Sequence, residues 1–165
     1  MNKVFIFDID DTLIIHTKED NDYYNIDPGE DIKQLIESLG TRHLYIYTNG
    51  TYGHGHQVIK NLKLLFHFSL IFGRDNIPID PPYQMKPFLR SFKYVQETIE
   101  DKIQSKNNTF YFFDDMKANL RTAKSLGWVT ILIHPDFINQ DEEYIDYLFP
   151  NIYHALVFFS LKKGQ

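Results

Sequence analysis

The sequence contains no cysteine among its 165 residues. This absence excludes disulfides, Cys-ligated zinc, iron–sulfur clusters and thiol nucleophiles together. Basic residues are in the minority, because 17 Lys and Arg stand against 22 Asp and Glu, for a formal net charge of -5. The chain therefore lacks the general positive charge with which proteins bind nucleic acids or anionic membranes. An anionic substrate would have to be held by local groups.

A long hydrophobic run is also missing from the N-terminal region. The apolar stretch that precedes Asp8 is too short for a signal peptide or a membrane span, so we expect a soluble, cytoplasmic protein with no membrane partner. Low-complexity linkers and internal repeats are absent as well. A chain of this length with 43% hydrophobic residues suffices for one buried core. We expect a single domain over residues 1–165.

Short apolar runs rich in β-branched and aromatic residues recur along the chain, as is typical of strands covered on both faces of a parallel sheet. They lie at 4–7, 44–47, 69–72, 110–113 and 129–133. Stretches with helical spacing alternate with them, at 29–39, 55–66, 88–103 and 118–126. The alternation predicts an α/β fold, a three-layer α/β/α sandwich around a Rossmann-like parallel sheet. Ligands of such folds bind beyond the carboxyl ends of the strands.

Two segments depart from this alternation. Residues 12–28 are polar, carry tyrosines and end in a turn signal, so we interpret them as a flap that follows the first strand. Tyr23 and Tyr24 on this flap are candidates for substrate contact. The C-terminal extension, at about 141–165, can add a short strand and a final helix.

Acidic and hydroxyl side chains occupy the carboxyl ends of three predicted strands. Asp8 and Asp10 follow the first strand, Thr48 the second, and Asp114 with Asp115 the fourth. Because these ends meet at one edge of a parallel sheet, we expect the four carboxylates to share one small region. Their mutual repulsion would raise pKa values and destabilise the fold unless a cation intervened. Mg²⁺ fits best, because it binds through one or two carboxylates together with water and phosphate.

This arrangement suits the hydrolysis of a phosphomonoester through a covalent intermediate. Asp8 can attack phosphorus to form an acyl phosphate, while a metal ion neutralises the repulsion between them. Asp10, two residues on, can protonate the leaving alkoxide and later deprotonate water. The Thr48 hydroxyl, the amide of Asn49 and the Lys86 ammonium are candidate donors to the phosphoryl oxygens.

The segment Phe7-Asp8-Ile9-Asp10-Asp11-Thr12-Leu13 resembles the first motif of the haloacid dehalogenase (HAD) superfamily. Three further motifs follow in order, at Tyr47-Thr48-Asn49-Gly50, Met85-Lys86-Pro87-Phe88 and Phe112-Phe113-Asp114-Asp115. The resemblance covers the chain from Lys3 to about His134. The second motif followed by His54, and the fourth followed by Asn119 and residues 123–128, are further similar to the pyrimidine 5′-nucleotidase-like branch.

The resemblance implies a Mg²⁺-dependent phosphatase that forms an aspartyl-phosphate. It implies that Asp8 is the nucleophile and a metal ligand, and that Asp10 is the acid/base whose backbone carbonyl also binds the metal. The presence of Asp10 favours phosphoester chemistry, because superfamily members that only dehalogenate do not use an acid there.

The resemblance also assigns the remaining groups around the phosphate. It places Thr48 and Lys86 on the phosphoryl group. One or both of Asp114 and Asp115 would complete the metal shell, and we favour Asp115 for direct contact and Asp114 for contact through water.

The intervals between the motifs depart from the pattern of many relatives, because neither has room for a cap domain. In this superfamily an open site tends to accompany large substrates or closure by a second copy of the chain. We expect a nucleotide or similar phosphorylated metabolite as substrate. The alternatives are a protein or nucleic-acid end phosphate, phosphotransfer to another alcohol, and a binding module without catalysis.

Three polar residues allow more than one interpretation. His54 and His56 lie in a predicted Gly-rich loop, where they fall short of a structural zinc site without further His or Cys ligands. We expect them to border the pocket, with His54 as a candidate for substrate contact, or to cap the helix that follows. Asn119 can contact the site or brace its own helix.

Overall fold

The structure is a computed structural model that describes residues 1–15, 30–140 and 142–162. Its strands are β1 Asn2–Phe7, β2 Leu44–Tyr47, β3 Leu70–Phe72, β4 Asn108–Asp114, β5 Val129–Ile133 and β6 Tyr147–Phe149. Its helices are α1 Glu30–Ser38, α2 Tyr52–Asn61, α3 Leu89–Ile103, α4 Lys117–Ser125 and α5 Ile152–Leu161, with a 3-10 turn at Phe137–Asn139. Tyr23, Tyr24 and most of the predicted flap lie outside the described residues.

The strands form one parallel sheet in the order β3-β2-β1-β4-β5-β6. The two central strands, β1 and β4, pair along six positions, the last of which joins Phe7 to Phe113. The register places Asp8 and Asp114 side by side where the two strands end. The predicted meeting of these strand ends is therefore present in the fold.

Helices cover both faces of the sheet, and β1 shows why. Side chains alternate along a strand, so Phe5 and Phe7 face one side and Val4 and Ile6 the other. The first pair packs in a core with residues of α1, α2 and α5, and the second in a core with residues of α3 and α4. All four side chains are buried, which explains the continuous apolar run. The predicted three-layer α/β/α sandwich is confirmed.

The start of α2 differs from the sequence-based expectation. The helix begins at Tyr52, because the Thr51 hydroxyl accepts a hydrogen bond from the His54 N–H at 3.2 Å and caps the helix. The prediction that His54 lies in a loop was therefore wrong. His56, which the predicted helix at 55–66 already included, lies with His54 in the first turns of α2. His56 stacks on Tyr52, with ring centroids 5.9 Å apart.

The end of α2 was also misplaced, at residue 66 instead of Asn61. Lys63 adopts a left-handed backbone with φ 57. The Leu64 N–H donates a hydrogen bond to the Ile59 carbonyl at 2.8 Å, and the Lys63 N–H donates one to the Lys60 carbonyl at 3.0 Å. This pair of bonds is a Schellman motif, which usually uses glycine. A lysine in the left-handed position gives no such signal in the sequence.

The interval from Gly50 to Lys86, which the structure describes throughout, holds only α2, β3 and connecting turns. It contains no cap domain. Among the described residues, no helix is long and apolar enough to cross a membrane.

Candidate active site

Three carboxylates meet at the carboxyl ends of the central strands. The Asp8 N–H extends the ladder by donating to the Phe113 carbonyl at 2.9 Å. Asp114 ends β4, and Asp115 follows it. Asp8, Asp114 and Asp115 each offer one oxygen, and these oxygens lie within 4.8 Å of one another. A donor set of carboxylate oxygens at this spacing fits a hard divalent cation such as Mg²⁺.

Lys86 lies between two of these carboxylates. Its Nζ donates to Asp8 Oδ1 at 2.9 Å, to Asp114 Oδ2 at 2.7 Å and to the Tyr47 carbonyl at 2.9 Å. These contacts use all three ammonium hydrogens. Burial lowers the pKa of Lys86, but the charges of Asp114 and Asp8 and their hydrogen bonds outweigh it and raise the pKa above its usual range. The side chain is therefore a buried cation.

Asn49 fixes the backbone of Lys86 through two reciprocal hydrogen bonds. Its Nδ2 donates to the Lys86 carbonyl at 2.9 Å, and its Oδ1 accepts from the Lys86 N–H at 2.8 Å. Asn49 of the second motif thus positions Lys86 of the third motif. A contact between Asn49 and a phosphoryl group would have to come from its backbone N–H.

The environment of Asp8 disfavours its charged form. Burial raises the pKa of Asp8 to about 8, with Lys86 opposing this shift and Asp114 and Asp115 reinforcing it. Burial and the neighbouring Asp114 raise the pKa of Asp115 to about 6. The Thr12 hydroxyl donates to Asp8 Oδ2 at 3.3 Å. A bound cation would offset the repulsion among these groups and favour their ionised forms.

Asp114 is fully buried, and its oxygens accept several hydrogen bonds. Oδ1 accepts from the Met116 N–H at 2.8 Å, and Asn119 Nδ2 lies 3.1 Å from both oxygens. Asn119 is itself buried and connects α4 to the end of β4. Asn119 therefore contacts a carboxylate of the cluster and links α4 to the strand that carries it. Asp115, which is more exposed than Asp114, has the better access for a direct metal contact.

Asp10 lies apart from the three clustered carboxylates and pairs with a histidine. Its Oδ1 is 3.0 Å from His54 Nε2. The backbone reaches this position through a tight turn, in which the N–H groups of Leu13 and Ile14 both donate to the Ile9 carbonyl. Asp11 in this turn has a left-handed backbone with φ 58, which aspartate tolerates better than most residues. Asp8 is buried, whereas Asp10 is partly exposed.

Thr48 is buried and lies at the end of β2, where its N–H donates to the Phe72 carbonyl at 2.9 Å. Its hydroxyl oxygen accepts from the Gly50 N–H at 3.0 Å. A Cβ on Gly50 would lie 3.0 Å from His54 Cδ2 and 3.3 Å from the Thr48 hydroxyl. A larger residue at this position would crowd Thr48 and His54, which would have to shift by a few tenths of an ångström.

Sequence reasoning did not single out two groups of the site. Thr12 belongs to the first motif and donates a hydrogen bond to Asp8, and the Tyr47 carbonyl accepts a hydrogen of Lys86. The first was visible in the motif. The second is a backbone group, which any residue at that position would supply.

Solved structures with the same fold include enzymes of the HAD type. The HAD-hydrolase YfnB of Bacillus subtilis, bound to magnesium, matches with a TM-score of 0.58 and 20% identity over 77% of this chain and 54% of its own. The L-2-haloacid dehalogenase of Xanthobacter autotrophicus, with chloropropionic acid covalently bound, matches with a TM-score of 0.61 and 15% identity over 87% and 64%. The haloacid dehalogenase-like hydrolase SP0104 of Streptococcus pneumoniae gives 0.53 and 21% over 78% and 58%.

The chain spans between 54% and 64% of the length of these three structures. No family model matches the sequence, and no curated protein is significantly similar to it. At such identities the likeness establishes the fold, which is HAD-like.

Proposed function

We propose that this chain is a HAD-type, magnesium-dependent phosphomonoesterase that forms an aspartyl-phosphate at Asp8. The observation that carries the proposal is the placement of Asp8, which contacts Lys86 and lies within reach of Asp114 and Asp115 at the ends of the central strands. A buried carboxylate with a fixed cation at one oxygen is suited to nucleophilic attack on a phosphoryl group.

The metal would be held by Asp8, Asp115 and the backbone carbonyl of Asp10, with Asp114 acting through water. When bound, Mg²⁺ supplies positive charge that favours the ionised carboxylates and offsets their repulsion toward phosphoryl oxygens. Lys86 contributes a second, permanent positive charge in the same place. With both charges present, Asp8 can approach an anionic phosphate as the carboxylate.

The Asp8 oxygen attacks phosphorus, and the bond to the leaving oxygen breaks. Asp10 donates its proton to that oxygen, and the alcohol departs. Asp10 then takes a proton from water, which attacks the phosphorus of the aspartyl-phosphate. The bond between phosphorus and the Asp8 oxygen breaks, and inorganic phosphate and the Asp8 carboxylate are released. The contact between Asp10 and His54 orients the acid for both steps. Lys86 and the Thr48 region stabilise the charge of the transferred group.

The proposed substrate is a nucleotide or similarly sized phosphorylated metabolite. Macromolecular phosphates are the competing class. Mononucleotides, phosphopeptides and 5′- or 3′-phosphorylated oligonucleotides, assayed side by side, separate the two. Turnover of the macromolecules alone would reject the metabolite class.

The first test is the hydrolysis of para-nitrophenyl phosphate with and without Mg²⁺. We expect Mg²⁺-dependent turnover that falls about a thousandfold or more in Asp8→Asn, which keeps the shape of the side chain and removes the nucleophile. Asp10→Asn should lose about 10²- to 10⁴-fold even with this good leaving group, because it also removes the base that takes the proton of water in the second step. Asp101→Asn, an exposed substitution on α3, is the control and should retain full activity.

Two results would contradict the proposal. One is metal-dependent turnover that survives in Asp8→Asn. The other is chloride release from 2-chloropropionate without any release of phosphate from esters, which would indicate a dehalogenase.

A further inference from the structure

A cavity of about 570 Å³ opens beside the carboxylates. It lies among the turn after β1, the end of α2, the end of β5 and the start of α5. Its apolar lining includes Leu13, Ile15, Leu62, Ile133, Ile152 and Tyr153. Pockets for small ligands measure roughly 300–1,000 Å³ and have mainly apolar walls, so this cavity has the size and character of a ligand site.

The cavity is continuous with the proposed catalytic site. Asp115 forms part of its wall and offers a carboxylate oxygen within 4.8 Å of one on Asp8. Thr12, which also lines the cavity, donates to Asp8 Oδ2. A molecule whose phosphate is attacked by Asp8 can therefore extend directly into this space.

The polar groups of the wall indicate which molecules fit. Asn151 Oδ1 accepts the His154 N–H at 3.0 Å as the cap of α5, and His134 Nδ1 accepts the Asp136 N–H at 3.1 Å. These two acceptor atoms are engaged in local turns. A polyhydroxylated group would give up hydrogen bonds to water in the apolar remainder of the cavity, which costs free energy. Asp11 adds negative charge to the wall, which disfavours a second anionic group on the ligand.

We propose that this cavity holds the leaving group of the substrate, and that the substrate is a phosphomonoester whose alcohol carries an uncharged, largely apolar or aromatic moiety. The inference rests on the proposed phosphatase function. Aromatic and branched alkyl alcohols meet this description, as does a nucleoside through its base. Simple sugar phosphates do not meet it, because their alcohol is polyhydroxylated.

The test compares 2-phenylethyl phosphate with ethyl phosphate in the presence of Mg²⁺. Both are primary alkyl esters, so they differ mainly in the apolar group that would enter the cavity. We expect kcat/KM to favour the phenylethyl ester by about tenfold or more. Ile15→Ser and Tyr153→Ala, which alter the wall, should each lower this ratio about threefold or more.

Two matched variants serve as controls. Ile138→Ser changes the same residue type at 76% exposure, against 71% for Ile15, and lies outside the lining. Val157→Ala lies one turn after Tyr153 on α5, at 44% exposure against 42%. Both should keep the preference of the unmodified protein.

Equal turnover of the two esters would overturn the inference, as would a preference that the wall variants leave unchanged. If no ester is hydrolysed, the phosphatase proposal fails, and the cavity is then judged by the binding of 2-phenylethanol, followed by ligand-observed NMR. Binding that Tyr153→Ala weakens and Val157→Ala preserves would support an apolar ligand site. Absent binding, or binding that is equal in both variants, would reject it.

Discussion

His54 shows how a residue outside the carboxylate cluster can act on the chemistry. Its Nε2 lies 3.0 Å from Asp10 Oδ1 and fixes the position of the proposed acid/base. Loss of the orientation of the acid should slow the reaction most when the leaving alkoxide is a strong base that needs a proton. The effect should be smallest for p-nitrophenolate, which is a weak base. A mutation of His54 should therefore affect different esters unequally.

We predict that His54→Ala lowers kcat about tenfold for an alkyl phosphate and much less for para-nitrophenyl phosphate. His54→Gln, which can still donate to Asp10, should restore part of the loss. His56→Ala is the control, because His56 stacks on Tyr52 in the same helix. An equal loss for both esters with an unchanged Tm would place the effect of His54 on the attack of water, which both esters share. An equal loss with a lowered Tm would indicate that His54 only supports the fold of α2.

The sequence predicted spatial proximity correctly for residues that directly follow predicted strands. Asp8 and Asp114 could be placed beside each other because their strands are continuous apolar runs, and parallel strands end at a common edge. The partners of Asn49 and Asn119 could not be predicted. An amide side chain can bind backbone, carboxylate or ligand, and only the three-dimensional arrangement decides among them.

At the scale of single elements, α2 contacts the sheet through a glycine. A Cβ on Gly55 would lie 3.0 Å from Ile71 Cγ2 and 3.5 Å from Ile9 Cδ1, both on buried side chains. A Cβ on Gly53, two residues earlier in the same helix, would have only the Thr51 hydroxyl at 4.0 Å. The two positions differ in packing but belong to the same turn of helix.

We predict that Gly53→Ala raises the free energy of unfolding by about 0.5–1 kcal/mol, because alanine favours the helix. Gly55→Ala should instead lower it by about 1 kcal/mol, because the cost of overpacking exceeds the gain in helix propensity. Urea denaturation of both variants measures the difference. Equal stabilisation by both would show that α2 is free to move away from β3.

Element boundaries were predictable where the sequence carries a chemical stop signal. Gly127, with φ 79, closes α4 as predicted, whereas Lys63 closes α2 with a similar backbone and without a glycine. The apolar runs of β2 and β5 gave the bounds of both strands. The 3-10 turn at Phe137–Asn139 has no periodic signal, since it spans three residues.

For the whole molecule, two carboxylates of the cluster, Asp8 and Asp115, link stability to pH and to metal. The pKa of Asp8 is raised from 3.8 to about 8 on folding, and that of Asp115 to about 6, so the folded protein binds more protons than the unfolded chain in this range. The contribution of these groups to stability is therefore fully present below pH 3.8. It is lost as the pH rises through the folded-state values.

We predict that the metal-free protein loses about 3 °C or more in Tm between pH 6 and pH 8.5. Mg²⁺ should reduce this loss by favouring the ionised carboxylates, and Asp8→Asn should reduce it by removing one of them. Asp101→Asn should follow the unmodified protein. A Tm that falls equally in Asp8→Asn without metal would assign the pH dependence to other groups.

The order of the sheet has a consequence for association between molecules. The strands at its two edges, β3 and β6, have three residues each, while the long strands β1 and β4 lie at the centre. Unpaired backbone groups at an edge are a template on which another chain can add a strand, and a short edge offers few of them. The long apolar strands β1 and β4, which would be most prone to pair with another chain, are thus paired on both sides within the sheet. The central position of β1 therefore encloses its apolar run and also places Asp8 in the carboxylate cluster, while the short edge strands leave little backbone for pairing with another chain.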